Sequence, residues 1–252
     1  MKVVQTIKGL KLMLSNTGIF HPEHHFKNKK VAVIGAADSA FEKEIGTFID
    51  DFDYIIRINK APHALSKEKF QYVGSRTDIL FHSFFENTDR GGGGPIDWQL
   101  YEEQGVKFLV NPNNNMSGLK AHLNYYKRNL SNRKTHLLPM SFAKKLRKNF
   151  GEWVPTVGYS ALYTVLNSGC KEVYITGFTF FKTPYADDYR DDLKDVKKND
   201  QFIKKQGFHN PDLELKEFME QLSEKENSET KIIMDDALSS IINGYKKHLN
   251  EK

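Results

Sequence analysis

The segment Gly207-Phe208-His209-Asn210-Pro211-Asp212-Leu213-Glu214 sets one histidine behind a glycine turn, with a carboxylate five residues further on. A neutral imidazole accepts a proton near neutral pH, and a carboxylate on the helix behind it can orient the ring. His209 and Glu214 therefore outline a general base and its support, with Glu217 one turn further on as the other carboxylate in reach. A histidine at a loop-to-helix junction is more often a cap or a surface group, so the reading depends on what precedes it. Asn59, closing the polar-tipped run Arg57-Ile58-Asn59, can both donate and accept, which suits a sugar hydroxyl or a phosphate oxygen; Ala61-Pro62 just after it equally suits a turn asparagine. His82, beside Ser83, either lines a pocket or is a buried, hydrogen-bonded histidine. Gly35 ends an apolar run and opens a candidate phosphate site at a helix N-terminus. Neither G-x-G-x-x-G nor G-x-x-x-x-G-K-[ST] occurs, so nicotinamide and P-loop chemistry find no support. Asp51-Phe52-Asp53 has the D-x-D form of a metal-diphosphate site, yet it directly precedes a strand, where a turn is the stronger reading. No metal ligand is assigned.

The elements that must hold these residues are legible as alternating strands and helices. Residues 30–35 (KVAVIG) read as a buried strand, followed by a helical stretch from Ala36 through Phe41, Ile45 and Phe48. Further strands are predicted at 53–58, 78–81, 107–111, 172–177 and 231–234, with helices at 160–167 and 237–248. Such alternation predicts an α/β fold, a mostly parallel sheet flanked by helices on both faces, with ligands at the carboxyl ends of the strands. Residues 1–28 read as an N-terminal extension packing on a domain spanning 29–252. The four glycines at 91–94 and the asparagines at 111–115 mark irregular loops. Residues 187–205, dense in charge, predict a solvated helix or a mobile lid ahead of His209, within a mobile segment around 183–206.

With 252 residues, 39% of them hydrophobic and 12% aromatic, the chain can bury a substantial core. No run approaches the ~18 apolar residues that cross a bilayer. One cysteine, Cys170, excludes an intrachain disulfide and suits a reducing compartment, so a cytoplasmic protein is expected. The net charge of +5 sits in runs such as Lys144-Lys145-Leu146-Arg147-Lys148 and the lysines of 194–205. These are solvated helix faces or, as the second reading, peripheral contacts with an anionic membrane surface at its inner face. Nucleic acid is not expected as a partner, because no basic-aromatic binding module is present.

Three motifs in order carry a family resemblance. Residues 31–62 (VAVIGAADSAFEKEIGTFIDDFDYIIRINKAP), with VGSRTDILFHS at 73–83, resemble the long sialyl motif of the sialyltransferases; PTVGYSALYTVLNSGCKEVYITGF at 155–178 resembles their short motif; and GFHNPDLELKEF at 207–218 is similar to the last motif, a His followed by Glu. The resemblance implies a single Rossmann-like (GT-A-like) α/β domain and an inverting, metal-independent glycosyltransferase with no cofactor, whose donor substrate is a CMP-activated acidic sugar and whose acceptor is a hydroxyl of a glycan or glycolipid, as in lipopolysaccharide or capsule assembly. It places His209 as the catalytic base, Asn59 and Ser83 near the donor, Thr156 and Gly158 in the short-motif turn, and Tyr185 on the leaving phosphate. The chain also departs from the motifs. The family's glycine-asparagine pair is Gly35-Ala36 here, so Asp38 or Ser39 must supply that donor contact or it is lost, and the hydroxyl residue before Gly158 is Val157. These departures leave CMP-sialic acid and CMP-Kdo as alternative donors, and a catalytically weakened nucleotide- or glycan-binding module as the alternative function.

Overall fold

The structure, a computed structural model, describes residues 2–250. Its eight strands are β1 (Thr17–Ile19), β2 (Lys30–Ile34), β3 (Tyr54–Ile58), β4 (Ile79–Phe81), β5 (Phe108–Asn111), β6 (Thr135–Leu137), β7 (Glu172–Thr176) and β8 (Lys231–Met234). They form one sheet in the order β1-β6-β5-β4-β3-β2-β7-β8, parallel throughout. Side-chain alternation explains the near-continuous apolar strands. Val31 and Val33 enter one core, built around the helices Val157–Leu166 and Pro211–Lys225, while Ala32 and Ile34 enter another beneath the short helices that follow β2. Leu80 and Leu109 point into a third cluster with Tyr101, Tyr125 and Tyr126. The predicted single α/β domain, layered helix-sheet-helix, is the observed one.

Chain order reverses at β2. Successive strands run outward from β2 through β3, β4, β5 and β6, after which the chain returns to place β7 on the other side of β2. Such a switch point leaves a crevice beyond the strand ends. The in-phase pairing of Ile34 with Thr176 sets Gly35 directly beside Gly177 at the mouth of that crevice.

Four sequence expectations need correction. β1 and β6 lie outside the six strands that periodicity predicts, because each has three residues and Thr-His-Leu shows no apolar alternation. Buried polar bonds hold β6: Thr135 Oγ1 lies 2.7 Å from His122 Nε2 and 2.9 Å from the Tyr126 hydroxyl. Residues 1–28 are more than an extension: the helix Lys2–Asn16 packs on the helix Met116–Arg128, β1 forms the sheet edge, and Phe20 and Phe26 are fully buried. The helical stretch expected after Gly35 is a 3-10 turn, Asp38–Phe41, and a separate short helix, Gly46–Asp50. A Cβ at Gly46 would lie 1.8 Å from the Phe70 carbonyl oxygen, an approach that only glycine allows. Finally, the charge-dense 187–205 segment is folded inward in part. A 3-10 turn, Asp191–Leu193, precedes the helix Val196–Gln206, on which Asn199 and Ile203 are buried. Along it Lys194 pairs with Asp187 and Asp191, and Lys204 with Asp200.

Candidate active site

A cleft of about 800 Å³ opens at the carboxyl ends of β2, β3, β4, β5 and β7. It is lined by His209, Glu214, Gly35, Asn59, Ser83, Thr156, Gly158 and Tyr185, all nominated from the sequence and scattered between positions 35 and 214 of the chain. Asp38 and Ser39 are not among its lining. Asp38 accepts from the Thr183 hydroxyl at 2.8 Å, and buried Ser39 donates to Asp235 at 3.3 Å, so both brace neighbouring loops instead of replacing the missing asparagine.

Gly35 has a packing role. A Cβ there would fall 2.1 Å from the Gly177 carbonyl oxygen, and the amides of Gly35, Ala37 and Asp38 already donate to Thr176, Gly177 and Pro184. The expectation that these amides form a phosphate cradle at a helix N-terminus is therefore not met. Asn59 closes β3 with φ +50°, an uncommon left-handed conformation for a residue with a side chain. Two bonds fix it there, from its amide to the Phe81 carbonyl at 2.7 Å and from the Ser83 amide to its Oδ1 at 3.2 Å. The Ser83 hydroxyl is engaged with Phe85 in a local turn. His82 is fully buried and spends both nitrogens structurally: Nδ1 accepts from the Phe84 amide at 2.9 Å, and Nε2 donates to the Gly93 carbonyl at 3.2 Å, pinning the glycine loop over the strand end. Burial lowers its pKa to about 4, so it stays neutral.

The base candidate is held differently. His209 immediately precedes Asn210, the N-cap of the helix Pro211–Lys225, whose Oδ1 accepts from the Leu213 amide at 3.0 Å. Val154 donates to the Phe208 carbonyl at 2.8 Å, and its own carbonyl lies 2.6 Å from His209 Nδ1. A carbonyl only accepts, so Nδ1 carries the proton and Nε2 keeps its lone pair. No partner for Nε2 is found among the described residues. Burial lowers the His209 pKa, against a smaller upward pull from the Val154 carbonyl. The imidazole is neutral at pH 7, as a base must be.

Glu214 does not orient this ring. Its carboxyl accepts from the Thr156 amide at 2.6 Å and from the Thr156 hydroxyl at 2.9 Å, while the Thr156 oxygen accepts from the Tyr159 amide at 3.0 Å and caps the helix Val157–Leu166. Burial pushes the Glu214 pKa up to about 8, with the two Thr156 bonds pulling the other way. Glu217 bonds Asn149 at 2.8 Å and is not in the cleft lining. The orienting group that sequence reading assigned to a carboxylate is thus a backbone carbonyl.

The cleft lining also holds a group that the sequence indicated only through Tyr185. Burial pushes the Tyr185 phenol up to about 12, and Tyr189, ring centroid 5.4 Å away and 8% exposed, is raised for the same reason, so both hydroxyls stay protonated, that of Tyr189 donating to the Ile58 carbonyl at 3.5 Å. The buried Arg190 grips Asp192 through two bonds of 3.0 and 2.9 Å, and its guanidinium carbon lies 5.2 Å from the Phe202 ring centroid. The Oδ1 of Asn199, buried in the cleft lining, has no hydrogen-bond partner among the described residues. Asn113, Asn115, Ser117, Lys120 and Asn124, from the loop after β5 and the helix it starts, also line the cleft with amides, a hydroxyl and an ammonium group.

Other sequence candidates serve the framework. Arg57 points away from the cleft, donating to the Val73 and Gly74 carbonyls at 2.6 and 3.0 Å. Asp53 accepts from the Lys30 amide at 2.8 Å and pairs with Lys29 at the amino end of β2, a strand-start role. Among the described residues no group of three or more His, Cys, Asp or Glu side chains is arranged to hold a metal ion.

No curated protein sequence matches the chain. Solved structures do. A mammalian sialyltransferase aligns with TM-score 0.56 at 15% identity, covering 90% of this chain and 78% of that one. A second mammalian structure, in complex with Gal-beta-1-3GalNAc-ortho-nitrophenol, aligns at 0.50 and 15% identity over 89% and 78%. A single-residue variant of the sialyltransferase CstII of Campylobacter jejuni, in complex with CMP, aligns at 0.50 and 18% identity over 84% of each chain. These likenesses establish a shared fold. The family model of glycosyltransferase family 29 (sialyltransferase) matches residues 2–227. With that match over most of its length, the chain belongs to glycosyltransferase family 29, the sialyltransferases.

Proposed function

We propose that the chain transfers a sialic acid from a CMP donor to a hydroxyl of a glycan or glycolipid, with inversion at the anomeric carbon and without a metal ion. The observation that carries this reading is His209, its Nδ1 proton committed to the Val154 carbonyl and its Nε2 lone pair free on the cleft wall. Family membership and the CMP found in the CstII structure support the donor class. The acceptor disaccharide in the mammalian structure supports a glycan acceptor.

The chemistry follows from these groups. The acceptor oxygen attacks the anomeric carbon as its proton passes to His209 Nε2, and the bond from that carbon to the phosphate oxygen breaks, its electron pair leaving with CMP. Positive charge grows on the sugar ring and negative charge on the phosphate. A departing monophosphate gathers less charge than a departing pyrophosphate. Arg190, its guanidinium held by Asp192, and the protonated hydroxyl of Tyr185 supply a cation and a donor at the cleft wall, which is the support for a metal-free reaction.

Incubation with CMP-sialic acid or CMP-Kdo and a panel of glycan acceptors, following CMP release, tests the proposal. Acceptor-dependent CMP release from CMP-sialic acid, unchanged by EDTA, is expected. Preferential turnover of CMP-Kdo would overturn the donor assignment, and CMP binding without turnover of either donor would mark a binding module.

A further inference from the structure

The helix Lys2–Asn16 has two apolar faces, and the protein body uses one of them. Gly9 permits the close approach to the helix Met116–Arg128, since a Cβ there would meet the Lys127 backbone at 2.9 Å. Leu12 and Met13 pack beside it on the Tyr125 and Tyr126 cluster. At 100° per residue, Val3, Ile7, Leu10 and Leu14 form a continuous stripe on the side turned away from Gly9. They are 71, 63, 42 and 71% exposed, a contiguous apolar row on a helix whose other side is already buried. Exposed Lys11 borders the stripe, with exposed Lys8 about 60° further round on the same side, and the helix has no acidic residue.

The geometry points to an anionic phospholipid bilayer as the partner of this stripe, with Val3, Ile7, Leu10 and Leu14 entering the acyl boundary and Lys8 and Lys11 meeting the lipid phosphates. Charge selects the bilayer over a second copy of the chain. A two-fold pairing of the same faces would oppose lysines to lysines with no carboxylate on either helix, whereas an anionic surface neutralises them. The helix Met116–Arg128 then couples docking to the cleft, because it holds the N-terminal helix at Lys127 and lines the cleft at Lys120 and Asn124. Those positions are about 5 to 10 Å apart along the helix axis at ~1.5 Å per residue, so docking would hold the cleft near the surface that presents a lipid-linked acceptor. This last consequence rests on the proposed transferase reading; the docking does not.

Sedimentation of the full chain, with an unmodified N-terminus, against vesicles of phosphatidylcholine alone or mixed with phosphatidylglycerol tests the docking without donor or acceptor present. Wild-type protein should pellet with the anionic vesicles and bind neutral ones about tenfold or more weakly, with high salt producing the same loss. Combined Ile7→Ser and Leu14→Ser substitutions should remove binding while leaving the melting temperature and CMP binding intact, since both positions are exposed and outside the cleft lining. Lys8→Gln with Lys11→Gln should abolish the preference for anionic lipid. Wild-type protein remaining in the supernatant, equal binding by the Ser variant, or a wild-type dimer in sedimentation velocity that the Ser variant dissociates would each overturn the assignment, the last by identifying a self-interface.

Discussion

Glu214 offers a sharp test of how the site is built. Its carboxyl is 2% exposed and its pKa is pushed from 4.5 up to about 8 by burial. Folding then takes up a proton wherever the unfolded chain has already lost it, so the stability contributed by the neutral acid is full below pH 4.5 and disappears as pH rises through about 8. Inside that window the slope approaches ~1.4 kcal/mol per pH unit, an upper limit on the order of 5 kcal/mol across it. Glu214→Gln keeps the shape and one acceptor for Thr156 but removes the titration, at a cost of about 1 kcal/mol for the altered hydrogen bond. Urea unfolding of both proteins between about pH 5 and pH 8 reads the difference directly, because His82, His122 and the other titrating groups are common to both. Wild-type stability should decline relative to the variant as pH rises. A difference that stays constant across this range would mean that Thr156 and the helix N-terminus keep Glu214 ionised, refuting the argument from burial.

Two further outcomes are expected. Tyr185→Phe preserves the ring contacts with Phe181 and Tyr189 but deletes a donor, and in the CMP-release assay should lower kcat ~10²–10³-fold with little change in donor KM. Gly35→Ala places a methyl group 2.1 Å from the Gly177 carbonyl oxygen, so thermal unfolding should show a lowered melting temperature and CMP should no longer raise it.

The sheet was legible because its central strands are buried on both faces and therefore read as apolar runs; β1 and β6, three residues each and held by Thr135, His122 and Tyr126, carry no such pattern. In the site, His209, Asn59, Thr156 and Gly158 stood out because motif and turn chemistry mark them in the chain itself. The support of His209 did not, since a backbone carbonyl has no sequence signature and only the pairing of residues 154 and 208 creates it. Glu214 misled for a related reason: its spacing from His209 suggested contact, whereas the helix turns its carboxyl toward Thr156. Arg190 and Tyr189 were hidden in a segment whose lysines and aspartates look solvated. A tyrosine and arginine interleaved with those charges were the available signal, and an exposure of only 8% for each shows that they face inward.

The central claim is that the free Nε2 of a neutral His209 removes the acceptor proton. It is tested most directly by CMP release from CMP-sialic acid, measured across pH for wild-type protein and His209→Ala alongside CMP binding. Turnover by the variant should fall ~10²–10⁴-fold with CMP affinity retained, and wild-type kcat/KM should decline only below pH 6.5, since burial lowers the imidazole pKa from that value. Undiminished turnover by His209→Ala would contradict the account.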